Sequence, residues 1–365
     1  MSTTVTSVIN ESIVIYNWIT STPPTTTTEE PYYVIDEDKK IELYPNIALY
    51  GVNILVGGLC MIAVIMSFVV LMSSKKFRQQ YSVIIVLCVA EVFAELGIIL
   101  EATTRRELFT KAIETGKSAQ MSSRDCLQPW VISQLIGDFW CPSLEFLMGL
   151  ERMCAVSFPT VFRTIFTPYG DRFIVLATLI AAAFVITPTT ITIIWYTENV
   201  RWSCGRKAAY GANFGLVDYT YNVIGFTAAF LFNIVAMCKA IKIKQSGRNM
   251  AKLKCYTAIA FLSTLLISIP NMLSIINVFV TVPNELMTPA PILACANGAV
   301  QFLVYFTFNP EFRHRFLQII TFNQIEKVIT VKPVSNFTQA PTMSTSKMTL
   351  VTVSKVALTS VSKNK

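Results

Sequence analysis

The sequence contains few charged residues for its length. Of its 365 residues, 14% are Asp, Glu, Lys or Arg, whereas 53% are apolar. A soluble protein needs more charge than this to cover its surface. The net charge of +8 comes from basic residues in short runs between apolar blocks, without the interleaved aromatic residues of a nucleic-acid-binding surface. The composition therefore favours a membrane protein and argues against a nucleic-acid partner.

Histidine and paired cysteines are also scarce. His314 is the only histidine, and none of the nine cysteines belongs to a CxxC pair, so we expect neither a metal centre nor a cofactor. The sequence has no HExxH or GxSxG motif either, and we do not predict an enzyme. No positively charged start precedes a short apolar core, so we expect no cleavable signal peptide.

Long apolar segments are abundant. A transmembrane helix needs about 20 mostly apolar residues to cross the bilayer. Seven segments meet this requirement, the third being the least apolar: 47–72, 81–100, 127–149, 173–196, 215–241, 255–280 and 288–308. They predict an all-α membrane protein, a seven-transmembrane helix bundle over residues 47–308. The sequence has no internal repeat, which argues against a transporter built from duplicated halves.

The loops between these segments predict the orientation. Residues 73–80 and 242–254 are rich in Lys and Arg and contain no acidic residue, so the positive-inside rule predicts that they are cytosolic. Residues 1–46 then form a flexible extracellular tail, in which Asn10 begins an N-glycosylation triplet. Residues 321–365 form a disordered, Ser/Thr-rich cytoplasmic tail. We expect a multi-pass protein of the plasma membrane.

Five carboxylates lie inside the predicted segments. Glu91 and Glu95 are four residues apart, and Asp138 and Glu145 are seven apart, so each pair shares one helix face; Asp218 lies in the fifth segment. Carboxylates at membrane depth face the bundle interior and are functional candidates, for an ion or a proton. We see no basic partner at equal depth and expect several of them to be protonated. Neutral hydrogen bonding between helices is the alternative role.

Two cysteines are predicted outside the membrane on the same side. Cys126 begins the third segment, and Cys204 follows the fourth. No other cysteine is predicted to lie on this oxidising side, so we expect a disulfide that ties the loop to the start of the third helix. The remaining seven cysteines are expected to be small packing residues.

The end of the third segment carries a recognisable motif. Residues 151–159 read ERMCAVSFP, which resembles the acidic-Arg-aromatic motif of rhodopsin-like G-protein-coupled receptors, including Pro159 seven residues after Arg152. Met153 replaces the usual aromatic residue. The resemblance implies that Glu151 holds Arg152 in the resting state and that Arg152 is released when a heterotrimeric G protein binds.

The seventh segment resembles the same family. Tyr305 and Phe312 fall at the spacing of its Asn-Pro-x-x-Tyr motif and of the Phe-Arg pair that opens a short amphipathic eighth helix. The resemblance implies that this eighth helix occupies residues 309–320. Gln301 and Phe302 stand where the family has Asn-Pro.

Other family positions are matched in part over residues 47–320. Leu87-Cys88-Val89-Ala90-Glu91 resembles the family's Leu-x-x-Ala-Asp, so Glu91, with Asn297 on the seventh segment, is implied as a sodium or protonation site. Pro270 matches the kink proline of the sixth segment, but Ser268 replaces the tryptophan that usually precedes it by two residues.

The resemblance also implies a ligand pocket between the outer halves of segments three, five, six and seven. Gln134 stands where amine receptors have an aspartate, which disfavours an amine ligand, although Asp138 one turn deeper could substitute. Trp130 and Trp202 could equally be interfacial anchors. The candidate pocket residues are Trp130, Gln134, Asp138, Trp202, Asp218 and Asn277.

The partly matched motifs and the Ser/Thr-rich tail resemble those of the divergent nematode serpentine chemoreceptors. This resemblance implies a chemosensory receptor, of plasma membrane or sensory cilium, that converts binding of an extracellular small molecule into activation of a heterotrimeric G protein. Arrestin and a receptor kinase are implied as further partners of the tail, beside the lipid bilayer. A receptor for a neuropeptide is the nearest alternative. A seven-span ion channel or transporter is a second alternative, suggested by the buried carboxylates.

Overall fold

A computed structural model describes residues 32–321, which form a bundle of long helices. Each of the seven predicted segments corresponds to one long helix, and an eighth, shorter helix follows. The bounds are α1 Glu37–Met72, α2 Ser82–Thr115, α3 Pro129–Ser157, α4 Thr167–Ile194, α5 Ala212–Lys242, α6 (Gly247–Ser263, the π-helical turn Thr264–Ser268 and Ile269–Ile276), α7 Ala290–Phe308 and α8 Pro310–Ile320.

Short elements occupy the connections. One antiparallel pair of strands, β1 Tyr32–Val34 and β2 Lys117–Ala119, joins the segment before α1 to the segment after α2, with Tyr33 opposite Ser118. Helical turns fill four further connections: Lys75–Gln80, Pro159–Val161 with the π-helical Phe162–Phe166, Arg206–Tyr210 and Asn284–Met287.

Six of the long helices are apolar and long enough to cross a membrane, and α3 is the exception. Their apolar side chains point outward: Leu55 is 65% exposed, Leu179 61% and Ile224 63%, as expected where lipid replaces water. The less apolar α3 carries Gln134 and Asp138 and packs against α2, α4 and α5, which shield it from lipid. The protein is thus an all-α, seven-helix membrane bundle followed by a short eighth helix.

The helices α2 and α3 approach each other closely. A Cβ atom on Gly137 would lie 2.4 Å from the Cβ of Ala94, which is inside van der Waals contact. Only glycine therefore allows this separation, in the manner of the small-residue contacts common between membrane helices. The close approach brings the buried carboxylates of α2 next to those of α3.

Two helix boundaries differ from the prediction by ten residues or more. The first helix begins at Glu37 rather than at residue 47, so the described part of the predicted tail is a strand and the first turns of α1. The second helix continues to Thr115 rather than ending at residue 100. Hydropathy finds only the apolar part of a helix, and both extensions are rich in charged residues such as Glu, Lys and Arg, which have good helix propensity. Asn10 and residues 322–365 of the predicted cytoplasmic tail lie outside the described residues.

Local chemistry explains the π-helical turn inside α6 and the start of α8. Pro270 lacks an N–H and would clash with the preceding helical turn, and the π-helical turn Thr264–Ser268 widens the helix immediately before it. At α8, the Asn309 side chain accepts a hydrogen bond from the Phe312 amide (3.2 Å), and Pro310 occupies the first turn. Asn309-Pro310 is therefore a helix cap.

Candidate functional site

The bundle has two chemically different ends. At one end, the predicted disulfide between Cys126 and Cys204 is present and ties the loop after α4 to the segment before α3. We call this the disulfide end, and the opposite one, where α8 lies, the α8 end. The predicted functional residues divide between these two ends and the polar interior that connects them.

At the α8 end, Arg152 lies between α3 and α6. Its Nη2 donates to the hydroxyl of Tyr256 (3.3 Å), and its guanidinium lies 4.4 Å from the centre of the Tyr256 ring. The Glu151 carboxylate, expected to hold the arginine, is 3.8 Å from the same nitrogen. Arg152 is therefore held chiefly by a tyrosine of the neighbouring helix, and the sequence comparison gave no reason to single out Tyr256.

Tyr305 and Phe312 join α7 to α8. Their rings are 5.6 Å apart, and both side chains are buried. The Tyr305 hydroxyl has no hydrogen-bond partner within residues 32–321. It lines a cavity of about 420 Å³ between α6, α7 and α8, which Tyr256 and Asn309 also line. Of the sequence-predicted residues, Tyr305 thus lines the cavity, and Arg152 and Phe312 each contact a residue that lines it.

Gln301 connects the carboxylates at the centre of the bundle. Its Nε2 donates to Glu91 Oε1 on α2 and lies 3.4 Å from Glu145 Oε1 on α3. Ser263 on α6 donates to the same Glu145 oxygen at 2.7 Å. The residue that departs from the family's Asn-Pro pattern therefore joins four helices. Its neighbour Phe302 packs against the ring of Phe312.

Glu91 and Asn297, predicted together as an ion or proton site, line one small cavity of about 60 Å³. Glu95 and Asp138 line it as well. Within the described part of the chain, Asn297 Oδ1 and Glu95 Oε2 are buried without a hydrogen-bond partner. In the same residues no group of three or more His, Cys, Asp or Glu side chains is arranged to hold a metal ion.

At the disulfide end, Arg206 reaches into the bundle from the loop after α4. Its Nη1 donates to Asp218 Oδ2 on α5 (2.6 Å) and to Asp138 Oδ2 on α3. Although burial disfavours its charged form, Asp138 and Asp218 raise the pKa of Arg206, so it stays protonated. The expectation that these aspartates have no basic partner at their depth is wrong, because a loop rather than a helix supplies the partner. The clue in the sequence was Cys204, which holds Arg206 next to α3.

A second polar cluster lies beside the first, on the extension of α2. Gln134 Nε2 donates to Glu101 Oε2 (2.5 Å), and Glu101 Oε1 lies 2.8 Å from Arg105 Nη1. Arg105 also donates to the carbonyl of Cys204 (2.9 Å) and lies over the Trp130 ring at 5.4 Å. Sequence analysis missed Glu101 and Arg105 because they lie just beyond the apolar part of their helix.

Two of the predicted pocket residues have other contacts. Trp202 packs against Phe109 on α2, with ring centres 5.2 Å apart. Asn277 Oδ1 accepts a hydrogen bond from the Val282 amide (2.9 Å) and closes the turn after α6. The structure therefore brings Asp138 and Asp218 together at Arg206 and places Gln134 in a neighbouring polar cluster, with Trp130 at its edge.

Comparison with known proteins agrees with this architecture. The family model of the serpentine type 7TM GPCR chemoreceptor Srsx matches residues 55–320, nearly three quarters of the chain. The chain belongs to this family. Among curated proteins, none matches the sequence. The predicted resemblance to serpentine chemoreceptors is confirmed, and the matched residues of the receptor run from the middle of α1 to the end of α8.

Proposed function

We propose that this receptor is a chemosensory G-protein-coupled receptor whose disulfide end is extracellular and whose α8 end is cytosolic. The basic loops 73–80 and 242–254 both lie at the α8 end, which supports a cytosolic position by the positive-inside rule. A disulfide forms in an oxidising compartment, which supports an extracellular position for Cys126 and Cys204. The N-terminus is then outside and the C-terminus inside.

The observation that carries the proposal is the contact of Arg152 with Tyr256. It closes α3 onto α6 at the cytosolic end, beside the cavity lined by Tyr305. Such a contact can be made or broken, so it provides two states whose populations a ligand can change. Breaking it frees Arg152 and opens the gap between α3 and α6 toward the cavity. A segment of a G protein would bind in that gap and stabilise the open state.

The ligand would act at the other end of the same helices. Asp138 on α3 and Asp218 on α5 meet at Arg206, and the interior network of Gln301 joins α2, α3, α6 and α7 between the two ends. A molecule that changes the separation of Asp138 and Asp218 moves α3 against α5. The signalling assay below measures the coupling between the two ends.

The test is a signalling assay in cells that express the receptor with a promiscuous Gα subunit, screened against a panel of small molecules and short peptides. We expect Arg152→Ala to abolish the evoked signal at unchanged surface expression. Arg163→Ala, which removes an exposed arginine at the same end of the bundle, is the matched control and should signal normally. An evoked signal unaffected by Arg152→Ala would overturn the proposal. A ligand-evoked current that persists with G proteins disabled would favour a channel instead.

A further inference from the structure

Arg206 occupies a site that two other helices have formed. Asp218 is 1% exposed, and its Oδ1 also accepts a hydrogen bond from Asn222 (3.2 Å). The side chain of Arg206 is 27% exposed and that of Asp138 28%, so the site opens toward the disulfide end. The arginine belongs to neither helix. It is a cation on a loop, inserted between one aspartate of α3 and one of α5.

The loop that carries Arg206 makes a sharp bend at Gly205, just before the arginine. Gly205 has φ +141°, a conformation that side-chain-bearing residues rarely adopt. A Cβ at this position would also lie 2.7 Å from Arg105 Nη2. The segment Arg206–Tyr210 that follows is a single short helical turn, and the Cys204 disulfide anchors the chain just before it. Ala209 in this turn is buried and its carbonyl accepts a hydrogen bond from Thr192 (3.1 Å), which holds the turn in place. Arg206 can therefore leave the site by a change of its own side-chain conformation, without a movement of the long helices.

The space next to Asp138 is lined by hydrogen-bond acceptors. The cavity of about 60 Å³ has Glu91, Glu95, Asp138 and Asn297 in its wall, and no Lys, Arg or His is among its lining residues. Glu95 Oε2 and Asn297 Oδ1, in side chains that are 2% and 3% exposed, lack donors within residues 32–321. A buried acceptor without a donor is unfavourable, so this wall suits a group that supplies N–H donors.

Charge decides which kind of ligand can replace the arginine. If Arg206 leaves, Asp138 and Asp218 face each other in a medium of low polarity without a counter-ion, which is strongly unfavourable. A ligand that brings its own positive charge removes this penalty. An anionic ligand would instead add to the charge of Asp138, Asp218 and the nearby Glu101.

We infer that the ligand of this receptor carries a cationic N–H donor group, a primary amine, an amidine or a guanidine, which replaces Arg206 between Asp138 and Asp218. This inference rests on the proposed receptor function and adds the chemical class of its ligand. The position normally taken by the arginine accepts the head group of the ligand, and the displaced side chain of Arg206 turns outward. Gln134, which lacks the charge of an aspartate, remains bonded to Glu101 and is not the counter-ion.

The test uses the purified full-length receptor in detergent and follows its thermal unfolding. Arg206→Ala empties the site, and Arg201→Ala, which removes an exposed arginine of the same loop, is the matched control. We expect Arg206→Ala to lower the unfolding midpoint and millimolar methylguanidinium to raise it again by about 2–4 °C. Methylurea has the same shape without the charge and should have no effect. Adding Asp138→Asn to Arg206→Ala should abolish the rescue.

Equal effects of methylguanidinium and methylurea, or a rescue that survives Asp138→Asn, would overturn the inference. If Arg206→Ala cannot be purified in a folded state, the same experiment is done with the wild-type receptor. Butylammonium should then raise the unfolding midpoint more than butyramide does. Asp138→Asn should remove this difference. In the cell assay, the receptor is screened against a matched panel of amines, alcohols and carboxylic acids. We expect the agonists to be amines, and agonists that are all acids would refute the inference. The unfolding experiment needs no G protein. If methylguanidinium stabilises Arg206→Ala as expected but the receptor gives no signal in cells, only the proposed receptor function is refuted.

Discussion

Replacing Tyr256 by phenylalanine should raise the basal activity of the receptor. The substitution keeps the ring, over which the Arg152 guanidinium lies at 4.4 Å, and removes only the hydroxyl that accepts from Arg152 Nη2 at 3.3 Å. Tyr256 is 1% exposed and the Arg152 side chain 26%, so water compensates only part of the lost acceptor in the closed state. In the proposed open state Arg152 has left Tyr256. The substitution therefore raises the free energy of the closed state alone.

The size of the effect follows from the bond that is lost. A hydrogen bond to a charged group contributes about 1.5–3 kcal/mol, and the 3.3 Å separation puts this one at the weak end, about 1–2 kcal/mol. A change of that size alters the ratio of open to closed receptor by a factor of about 5–30. If about 1% of the wild-type receptor is open at rest, about 5–25% of Tyr256→Phe should be open.

The assay measures G-protein activation without ligand, as a function of receptor density at the cell surface. Tyr169→Phe is the matched control, because Arg172 lies over the Tyr169 ring at 4.7 Å while the Tyr169 side chain is 43% exposed to its surroundings. Basal activity of the control should equal that of the wild type. A basal signal of Tyr256→Phe that is no higher than that of Tyr169→Phe, at equal surface density, would refute the role of Tyr256 in closing the receptor.

Three further substitutions test the framework. Gly137→Ala should force α2 and α3 apart and cost about 1–3 kcal/mol of stability, seen as a lower unfolding midpoint, whereas Gly170→Ala, which meets no atom within 4 Å, should not. Cys204→Ser removes a disulfide between residues 78 apart in the sequence, and chain entropy alone predicts a loss of about 4–5 kcal/mol of stability. Surface expression of this variant should fall. Surface expression of Cys238→Ser, at an exposed free cysteine, should not change. Gln301→Leu leaves two buried carboxylates without their shared donor and should cost about 1–3 kcal/mol; an unchanged unfolding midpoint would contradict the assigned network.

The helix count and the disulfide could be predicted from the sequence because both depend on local composition. Apolar length identifies a membrane span, and Cys126 and Cys204 were the two cysteines expected on one oxidising side. The ends of the helices could be predicted less well. Where α2 leaves its apolar stretch, nothing in the hydropathy distinguishes a polar helix from a polar loop, so Glu101 and Arg105 were assigned to the loop.

The partners of the buried carboxylates could not be predicted, because they come from elements distant in the chain. Arg206 follows Asp138 by 68 residues, and Gln301 follows Glu91 by 210. Gln301 stands where the family motif has asparagine, so the comparison indicates only that the motif is incomplete. A motif records residue types and not the contacts that a longer side chain can make. Tyr256 belonged to no motif at all. Its role depends on the packing of α6 against α3.

The unequal lengths of the helices give the receptor an uneven rim at its disulfide end. At a rise of 1.5 Å per residue, the 36 residues of α1 and the 34 of α2 extend over about 50 Å, against a hydrocarbon core of about 30 Å. The 19 residues of α7 extend over about 28 Å and leave no excess. One side of the bundle therefore stands about 20 Å above the membrane core as a wall, braced by β1 and β2. A molecule that approaches Arg206 from outside meets this wall on the side of α1 and α2.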